Sequence, residues 1–291
     1  MESTAIFEIF LSVLRFAAPL ILAAMAGLYS ERSGIIQIAL EGFMLFGAFV
    51  AAASATHFGS GFAGLFCAVG FGIVMGLFYG FLVIQLKTDQ IVSGTAVNML
   101  AWGGIPVVSK MLFDVTSKTP AIDASERLPQ WFPIVLALAV VAVTYFVIKK
   151  TPFGLWLTVA GEKPEALLAA GIRPSSVRWA SLMITGAVAG LGGAILSVCL
   201  ASSYTRNMTA GRGFMALAGL ILGKWRPIQA CGACILFGVC EVAQLKLQGT
   251  VFPLIGTVPG QLVQILPYVI TLWILAGVVG ESRAPSKLGQ S

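Results

Sequence analysis

The sequence predicts an all-α integral membrane protein, a polytopic bundle of about 8–10 transmembrane segments that can include re-entrant ones. Hydrophobic residues make up 58% of the 291 positions and charged residues only 10%, whereas a soluble domain has roughly 25% charged residues. The mean hydropathy is +0.93. Apolar runs follow one another with short polar loops between them, so residues 1–291 are expected to form a single transmembrane domain.

The charges, cysteines and histidine exclude several classes of function. The net charge is +6, but the lysines and arginines lie in loops between apolar runs, where they indicate the cytoplasmic side and not nucleic-acid binding. The five cysteines lie within or at the ends of apolar runs and are interpreted as small apolar fillers. His57 is the only histidine, so we expect neither a Ser-His-Asp set nor a metal site.

The N-terminal residues contain two apolar runs separated by a polar break. Glu8 and Arg15 are seven positions apart, which predicts a helix lying partly in the membrane interface. A first span over Phe16 to Tyr29 is expected to follow it. After a polar break at residues 30–34, a second span is predicted from Ile35 to Thr56.

The next two runs differ in polarity. The span at 62–86 has glycines every four residues, which predicts a seam where another helix backbone approaches closely; these are Gly72, Gly76 and Gly80. The span from Gln90 to Phe113 is more polar and contains the helix-breaking sequence GGIP at 103–106. Such backbone is tolerated at membrane depth only where protein or water covers it, so this span is a candidate pore wall.

The second half of the chain contains further runs on both sides of a long polar passage. In order they are a charged loop at 114–130, a plain span at 131–148, the passage at 149–178, a small-residue-rich run at 177–201, and apolar runs at 214–223, 228–247 and 264–280. The run at 214–223 is too short to cross about 30 Å of hydrocarbon, so it is re-entrant or extended by neighbouring turns. If each later run crosses once, the C-terminal tail, residues 224–226 and the polar passage share one side, which the positive-inside rule makes cytoplasmic.

The polar passage at 149–178 contains a predicted two-turn helix, about 10 Å long. Pro164 can occupy the first helical position, residues 165–170 are good helix formers, and Gly171 can adopt the left-handed cap. The small apolar face of this helix suits insertion into a groove of another protein. A surface helix with no partner explains the same residues equally well.

Four runs of the sequence carry a family pattern. They are SERSGIIQIALEGFMLFGAFVAA from Ser30, TPFGLWLTVAGEKPEALLAAGI from Thr151, NMTAGRGFMALAGLILGKWRP from Asn207 and CGACILFGVCEVAQLKLQ from Cys231. Together they resemble the permease subunits of ABC importers, in the class of ribose and branched-chain amino acid permeases. Within that class, the SERSG and GKWRP runs are similar to the nucleoside and simple-sugar branch.

The resemblance implies a function and a set of partners. The chain is expected to be the multi-pass permease subunit of an importer in a bacterial cytoplasmic (inner) membrane, moving a nucleoside or simple sugar inward by alternating access. The resemblance implies a separate ATPase subunit, a second permease that is homologous or identical, and a substrate-binding protein. It also implies that the ATPase docks on the polar passage; the coupling residues are then Glu162, Pro164, Glu165, Ala166, Leu167, Ala169 and Gly171.

The chain itself is expected to bind no cofactor, with ATP and magnesium used by the partner ATPase. The nearest approach to a phosphate-binding loop, Gly219 to Lys224, has one residue too few between its glycines. No convincing nucleophile–base pair or metal-ligand cluster indicates an enzyme. Two alternatives remain open: a secondary transporter or channel that works without ATP, and an importer of branched-chain amino acids.

Polar residues inside the apolar runs are candidates for the solute pathway, because a nucleoside or sugar needs hydrogen-bonding amides and an aromatic platform. The candidates are Gln37, Asn98, Trp102, Glu241 and Gln244. The competing interpretation is that the amides tie helices together, which contributes roughly 1 kcal/mol each in membranes. A structural role is expected for Ser30, Glu31, Arg32, Gly34 and Glu41. Glu41 is expected to brace the turn at 30–34 through Arg32, and Glu241 to line the cavity.

Overall fold

The protein is described by a computed structural model that covers residues 2–123, 126–247, 251–252, 256–257, 265, 269 and 284–290. Its helices are α1 (Glu2–Arg32), α2 (Leu40–Phe58), α3 (Gly61–Gly80), α4 (Gln90–Phe113), α5 (Phe132–Lys150), α6 (Pro152–Glu162), α7 (Pro164–Ala169), α8 (Pro174–Ala194), α9 (Arg212–Leu222) and α10 (Pro227–Leu247). The π-helical segments Phe81–Gln85 and Ile195–Leu200 continue α3 and α8. A two-residue antiparallel ladder joins β1 (Val251–Phe252) to β2 (Gly256–Thr257), with Val251 opposite Thr257.

The predicted all-α polytopic membrane fold is confirmed. Within the described ranges, seven helices are long and apolar enough to cross a membrane: α1, α2, α3, α4, α5, α8 and α10. The small ladder of β1 and β2 is a departure from the all-helical expectation. The predicted last span at 264–280 lies outside the described residues.

Two helices are continuous at positions where the sequence predicts that a helix ends or breaks. The predicted interfacial helix and first span form one continuous helix, α1, with Pro19 inside it, because no glycine or proline interrupts residues 2–18. The predicted break at 103–106 is also wrong, since α4 continues through it with Pro106 inside. Glycine and proline are tolerated inside membrane helices because neighbouring groups satisfy the freed backbone.

Two non-helical stretches, before α2 and before α9, interrupt the membrane domain. The helix α2 begins at Leu40 and not at Ile35, so residues 33–39, here called the first break, are non-helical. The helix α9 has 11 residues, about 16 Å, which confirms that this run is too short to cross. It is preceded by a non-helical stretch at 201–211, here called the second break.

The buried centre of the bundle is formed by α1, α2 and α8, and α4 and α5 are the most exposed spans. The predicted glycine seam on α3 is confirmed, because a Cβ added at Gly72 would collide with the carbonyl oxygen of Gly186 on α8. A Cβ added at Gly193 of α8 would likewise collide with the carbonyl oxygen of Met44 on α2. Close backbone approach of this kind stabilises membrane helix packing through van der Waals contact.

The connecting segments gather at two ends of the bundle. Residues 149–178, 224–226 and 284–290 form one end, here called the basic end. Arg32 donates to the carbonyl oxygen of Trp225 at 3.1 Å, and the amide of Lys287 donates to Gly161 O at 2.9 Å. This confirms the expectation that the tail, the 224–226 run and the polar passage lie together. Residues 114–123 and 201–208 meet at the opposite end.

Candidate solute pathway and coupling surface

The polar passage at the basic end folds into two short helices, one more than the sequence predicts. Thr151 caps α6 by accepting from the amide of Gly154 at 3.3 Å. The second helix, α7, starts at Pro164 as expected. Gly171 has a φ of +78°, which confirms the predicted left-handed cap, and the amide of Ile172 closes the turn by donating to Leu167 O at 3.0 Å.

One leucine anchors α7 and its neighbour faces outward. Leu167 is 2% exposed and packs in a cluster with Tyr29, Leu157 and Val177. Leu168 is 58% exposed. The side chain of Leu167 therefore fixes α7 to the bundle and is not exposed to a partner, and the coupling role of this residue stays a prediction. The residues that α7 presents to solvent are Glu165, Ala166, Leu168 and Ala169.

The C-terminal tail lies against the base of these helices. The hydroxyl of Ser286 donates to Glu162 O at 2.8 Å, and its amide donates to Glu162 Oε2 at 3.3 Å. The amide of Gly289 donates to Gly34 O at 3.0 Å, while Arg178 donates to Gln290 O at 3.2 Å. Glu162, predicted as a coupling residue, is thus engaged by the tail of its own chain.

Side chains at the end of α1 connect the basic end to the bundle. Trp225 Nε1 donates to Glu31 Oε2 at 2.5 Å. Arg32 donates to Thr158 Oγ1 on α6 at 3.1 Å. Ser30 donates to the carbonyl oxygen of Ile35 at 2.9 Å, which closes the turn where Gly34 has a φ of +93°. These bonds hold the end of α1 to α6 and to the 224–226 run, and they fix the turn that leads into the first break.

The first break is enclosed by side chains from α3 and α4. The hydroxyl of Tyr79 donates to Ile36 O at 2.8 Å, and the amide of Ile36 donates to Gln90 Oε1 at 2.8 Å. Asn98 accepts from Gly42 N at 2.7 Å and donates to Ile38 O at 3.0 Å. Asn98 is 2% exposed, so its amide ties α4 to the first break and to α2 in this geometry.

Gln37 lies in the first break, before α2 begins, and not within the span predicted from Ile35. It is fully buried, and its Oε1 accepts from Ser30 Oγ at 3.1 Å. Its Nε2 atom has no hydrogen-bond partner. The structure therefore places Gln37 inside the bundle beside the turn at 30–34.

Glu41 has partners that the sequence did not predict. Its carboxylate accepts from Thr209 Oγ1 at 2.5 Å, from Gly211 N at 2.8 Å and from Gly213 N at 2.7 Å. The expected contact with Arg32 is wrong, because that guanidinium binds Trp225 and Thr158. A carboxylate at the first turn of α9 satisfies its free amides and interacts favourably with the helix dipole.

The second break is a loop of unusual backbone held on a neighbouring loop. Ser202, Asn207 and Ala210 have φ values of 58°, 57° and 45°, a region that L-residues rarely adopt. The amide of Thr119 donates to Tyr204 O at 3.1 Å, and the amide of Tyr204 donates back to Thr119 Oγ1 at 3.0 Å. These bonds fix the second break to residues 114–123.

A cavity of about 330 Å³ opens between α4 and the second break, lined by Trp102, Tyr204, Arg206 and Asn207. Trp102 is 44% exposed. The ring of Tyr204 is buried and packs edge-on against the ring of Phe49, with 5.4 Å between the ring centroids. Burial raises the pKa of Tyr204 to about 12, so its phenol is neutral at physiological pH.

The two candidates on α10 lie elsewhere. Glu241, expected to line a cavity, forms an ion pair with Arg212 at the start of α9. That guanidinium also donates to Met208 O at 3.0 Å, so the pair ties α10 to the second break. Gln244 is half-buried one turn further along α10. Of the five predicted pathway residues, only Trp102 lines the 330 Å³ cavity.

Sequence reasoning did not assign a role to Tyr204, Arg206, Asn207, Thr209 or Arg212. The signal was present in the run NMTAGRG from Asn207, which places polar residues and glycines between two apolar runs. Such a run marks an irregular backbone that has to be covered by protein or to line a cavity.

Comparisons with known proteins indicate one protein family. Residues 9–275 match the family of the branched-chain amino acid transport system / permease component. The chain is 34% identical to the guanosine ABC transporter permease protein NupQ of Bacillus subtilis (strain 168), over 96% of this chain and 94% of that one. It is 32% identical to the nucleoside ABC transporter permease protein NupC of Lactococcus lactis subsp. cremoris (strain MG1363), over 96% and 94% of the two chains. It is also 29% identical to the putative glucose ABC transporter permease protein TsgC13 of Haloferax volcanii, over 94% of each. No solved structure matches.

Proposed function

Because this chain belongs to the branched-chain amino acid transport system / permease component family, we propose that it is the permease subunit of an ABC importer that carries nucleosides inward. The solute class is supported by the similarity to permeases named for guanosine and for nucleosides. A simple sugar is the second candidate, because a putative glucose permease is also similar.

A partner ATPase supplies the energy in this proposal. The observation that carries it is the surface of α7, where Leu167 is anchored in the bundle while Glu165, Leu168 and Ala169 are exposed. An exposed leucine and alanine beside a carboxylate suit a groove in another protein. Movement of α7 would be transmitted through Leu167 to α1, α6 and α8, whose residues share its cluster.

The remaining partners follow from the exposed surfaces and charges. The helix α4 presents Val92, Met99 and Trp102 on one exposed face, which a second permease, identical or homologous, would cover to enclose a pathway. Lysines and arginines at the basic end support a cytoplasmic position for that end, by the positive-inside rule. A substrate-binding protein would then deliver the solute at the opposite end, across a bacterial inner membrane.

The coupling surface can be tested by paired substitutions at two exposed positions. Glu165→Lys and Ala169→Arg should lower ATP-driven guanosine uptake into proteoliposomes about ten-fold or more, because a reversed charge or a bulky cation obstructs a docked groove. The matched variants Glu165→Gln and Ala169→Ser keep the size of each side chain and should retain most uptake. Wild-type uptake in all four variants would refute the assignment of α7.

The energy source and the solute are tested in the same vesicles. Uptake should require the ATPase subunit and stop with vanadate, and excess uridine should compete better than excess glucose. Uptake by the chain alone under an ion gradient would indicate a secondary transporter. Competition by glucose or leucine, without competition by uridine, would replace the nucleoside with that solute class.

A further inference from the structure

The cavity between α4 and the second break combines groups of complementary chemistry. Resting on the proposed function, we propose that it binds the nucleoside, with the base stacked on Trp102 and hydrogen-bonded by Arg206 and Asn207. The second break then supplies one wall of the solute site and α4 the other. This assigns to the loop at 201–211 a binding role, in addition to its role as a connection between α8 and α9.

The side chains at this cavity suit a planar ring with several oxygen and nitrogen acceptors. The half-exposed indole of Trp102 offers a face for stacking, and aromatic side chains bind bases by stacking on them whatever the base sequence. Arg206 carries five N–H donors and no acceptor, and a guanidinium can pair with the O6 and N7 atoms of guanine. The amide of Asn207 both donates and accepts, so it can meet a base edge or a ribose hydroxyl.

Arg206 is available for such a ligand. Its side chain is exposed. Within the described part of the chain Arg206 forms no ion pair, since the ion pair there joins Arg212 to Glu241. Its backbone is fixed, since the amide of Arg206 donates to Ser117 O at 2.8 Å. A guanidinium on a fixed backbone, with no carboxylate paired to it in this region, retains its donors for a solute.

The second break is held before any ligand arrives. Tyr204 is tied to Thr119 by two hydrogen bonds, and Glu41 accepts from Thr209 and Gly211 at the other end of the loop. Non-glycine residues at positive φ cluster at ligand sites, where the surrounding structure maintains the strain. A site organised in this way loses less conformational freedom on binding. Its volume of about 330 Å³ lies at the small end of ligand cavities, which suits a nucleoside-sized solute.

The test measures solute affinity at the permease separately from delivery by the binding protein. The permease–ATPase complex in lipid nanodiscs is titrated with tritiated guanosine in a scintillation proximity assay, with no binding protein present. Arg206→Gln should weaken binding about ten-fold or more, since hydrogen bonds to charged groups are stronger than those between neutral groups. Trp102→Ala should weaken it about five-fold or more, and Trp102→Phe, which retains a stacking face, should restore most of the affinity.

Two control variants isolate the cavity from general effects. Lys118→Gln removes a positive charge from the residue bridged to Thr205, and Trp131→Ala removes an exposed indole from the start of α5. Neither residue lines the cavity, so both should bind guanosine like the wild type. Retained ATP hydrolysis in every variant verifies that the complex is assembled.

Several outcomes would overturn this site. They are wild-type affinity in both Arg206→Gln and Trp102→Ala, an equal loss in the controls, or tighter binding of guanosine monophosphate than of guanosine, which would indicate a phosphate site at Arg206. Failure of the wild-type complex to bind guanosine, while ATP-driven uptake continues, also excludes it. Absence of guanosine uptake by the wild-type importer would contradict the proposed function instead, so the two failures are distinguishable.

Discussion

The two breaks solve the same physical problem in different ways. Each connects two helices, so its backbone groups lack the regular helical partners and need other hydrogen bonds. In the first break, Gln90 and Tyr79 bond to Ile36, and Asn98 bonds to Ile38. In the second break, the backbone pairs with a neighbouring loop, and its outer side faces a cavity.

This difference separates a structural joint from the cavity wall that we propose as part of the solute site. The backbone of the first break is bonded to side chains inside the bundle, and Asn98, which is 2% exposed, uses its Oδ1 and Nδ2 atoms on the backbone of Gly42 and Ile38. In the second break, Arg206 and Asn207 are exposed, and three non-glycine residues have positive φ. Glu41 links the two regions, since it lies one residue into α2 and caps α9.

The largest effect should come from Glu41→Ala, which breaks the link between the two regions. It leaves three donors without an acceptor, from Thr209, Gly211 and Gly213, and each buried unsatisfied group costs about 1–3 kcal/mol. We expect a large fall in the unfolding temperature of the detergent-solubilised protein, measured by size-exclusion chromatography after heating. Glu41→Gln retains one acceptor oxygen, so its unfolding temperature should lie between those of the wild type and Glu41→Ala. An unchanged unfolding temperature for Glu41→Ala would show that the link is unimportant.

A smaller effect, on stability alone, is expected for Asn98→Ala in the joint. Loss of the amide leaves Gly42 N and Ile38 O unsatisfied, so the free energy of unfolding should decrease by about 2 kcal/mol, while guanosine affinity is unchanged. Thr95→Ala is the matched control, because that exposed hydroxyl bonds only within α4, to Ile91 O and Val92 O. Weaker guanosine binding at unchanged stability would instead return Asn98 to the solute pathway.

The smallest and sharpest test exchanges one methyl group for hydrogen in each break. Ala210→Gly relieves a φ of 45° and should stabilise the protein by about 1 kcal/mol. Ala39→Gly, at a φ of −71°, relieves nothing and should destabilise it by about 0.5–1 kcal/mol, because glycine loses more freedom on folding. Chemical unfolding in mixed micelles measures both. The same sign for both variants would contradict the assignment of strain to the second break alone.

Much of the fold could be predicted because its signals are local. Apolar runs long enough to span a bilayer predict the helices, and glycines spaced four residues apart predict the seam on α3. Proline at the start and glycine at the end gave α7, with Gly171 at φ +78°. The site was harder to predict. Trp102 lines a cavity, whereas Asn98, one turn earlier on the same helix, is enclosed. Both residues can form hydrogen bonds within an apolar run, and the sequence pattern does not show which of them faces a cavity.

The sequence alone determined the membrane class, most of the spans and the capped helix of the polar passage. Those features follow from hydrophobic length and backbone chemistry within a few residues. Only the tertiary structure decided that Leu167 faces inward and Leu168 outward, and that Glu41 meets Thr209, which is 168 positions away. Partners at such separation are fixed by how the helices pack, because a buried polar group binds whichever donor or acceptor the packing brings within reach.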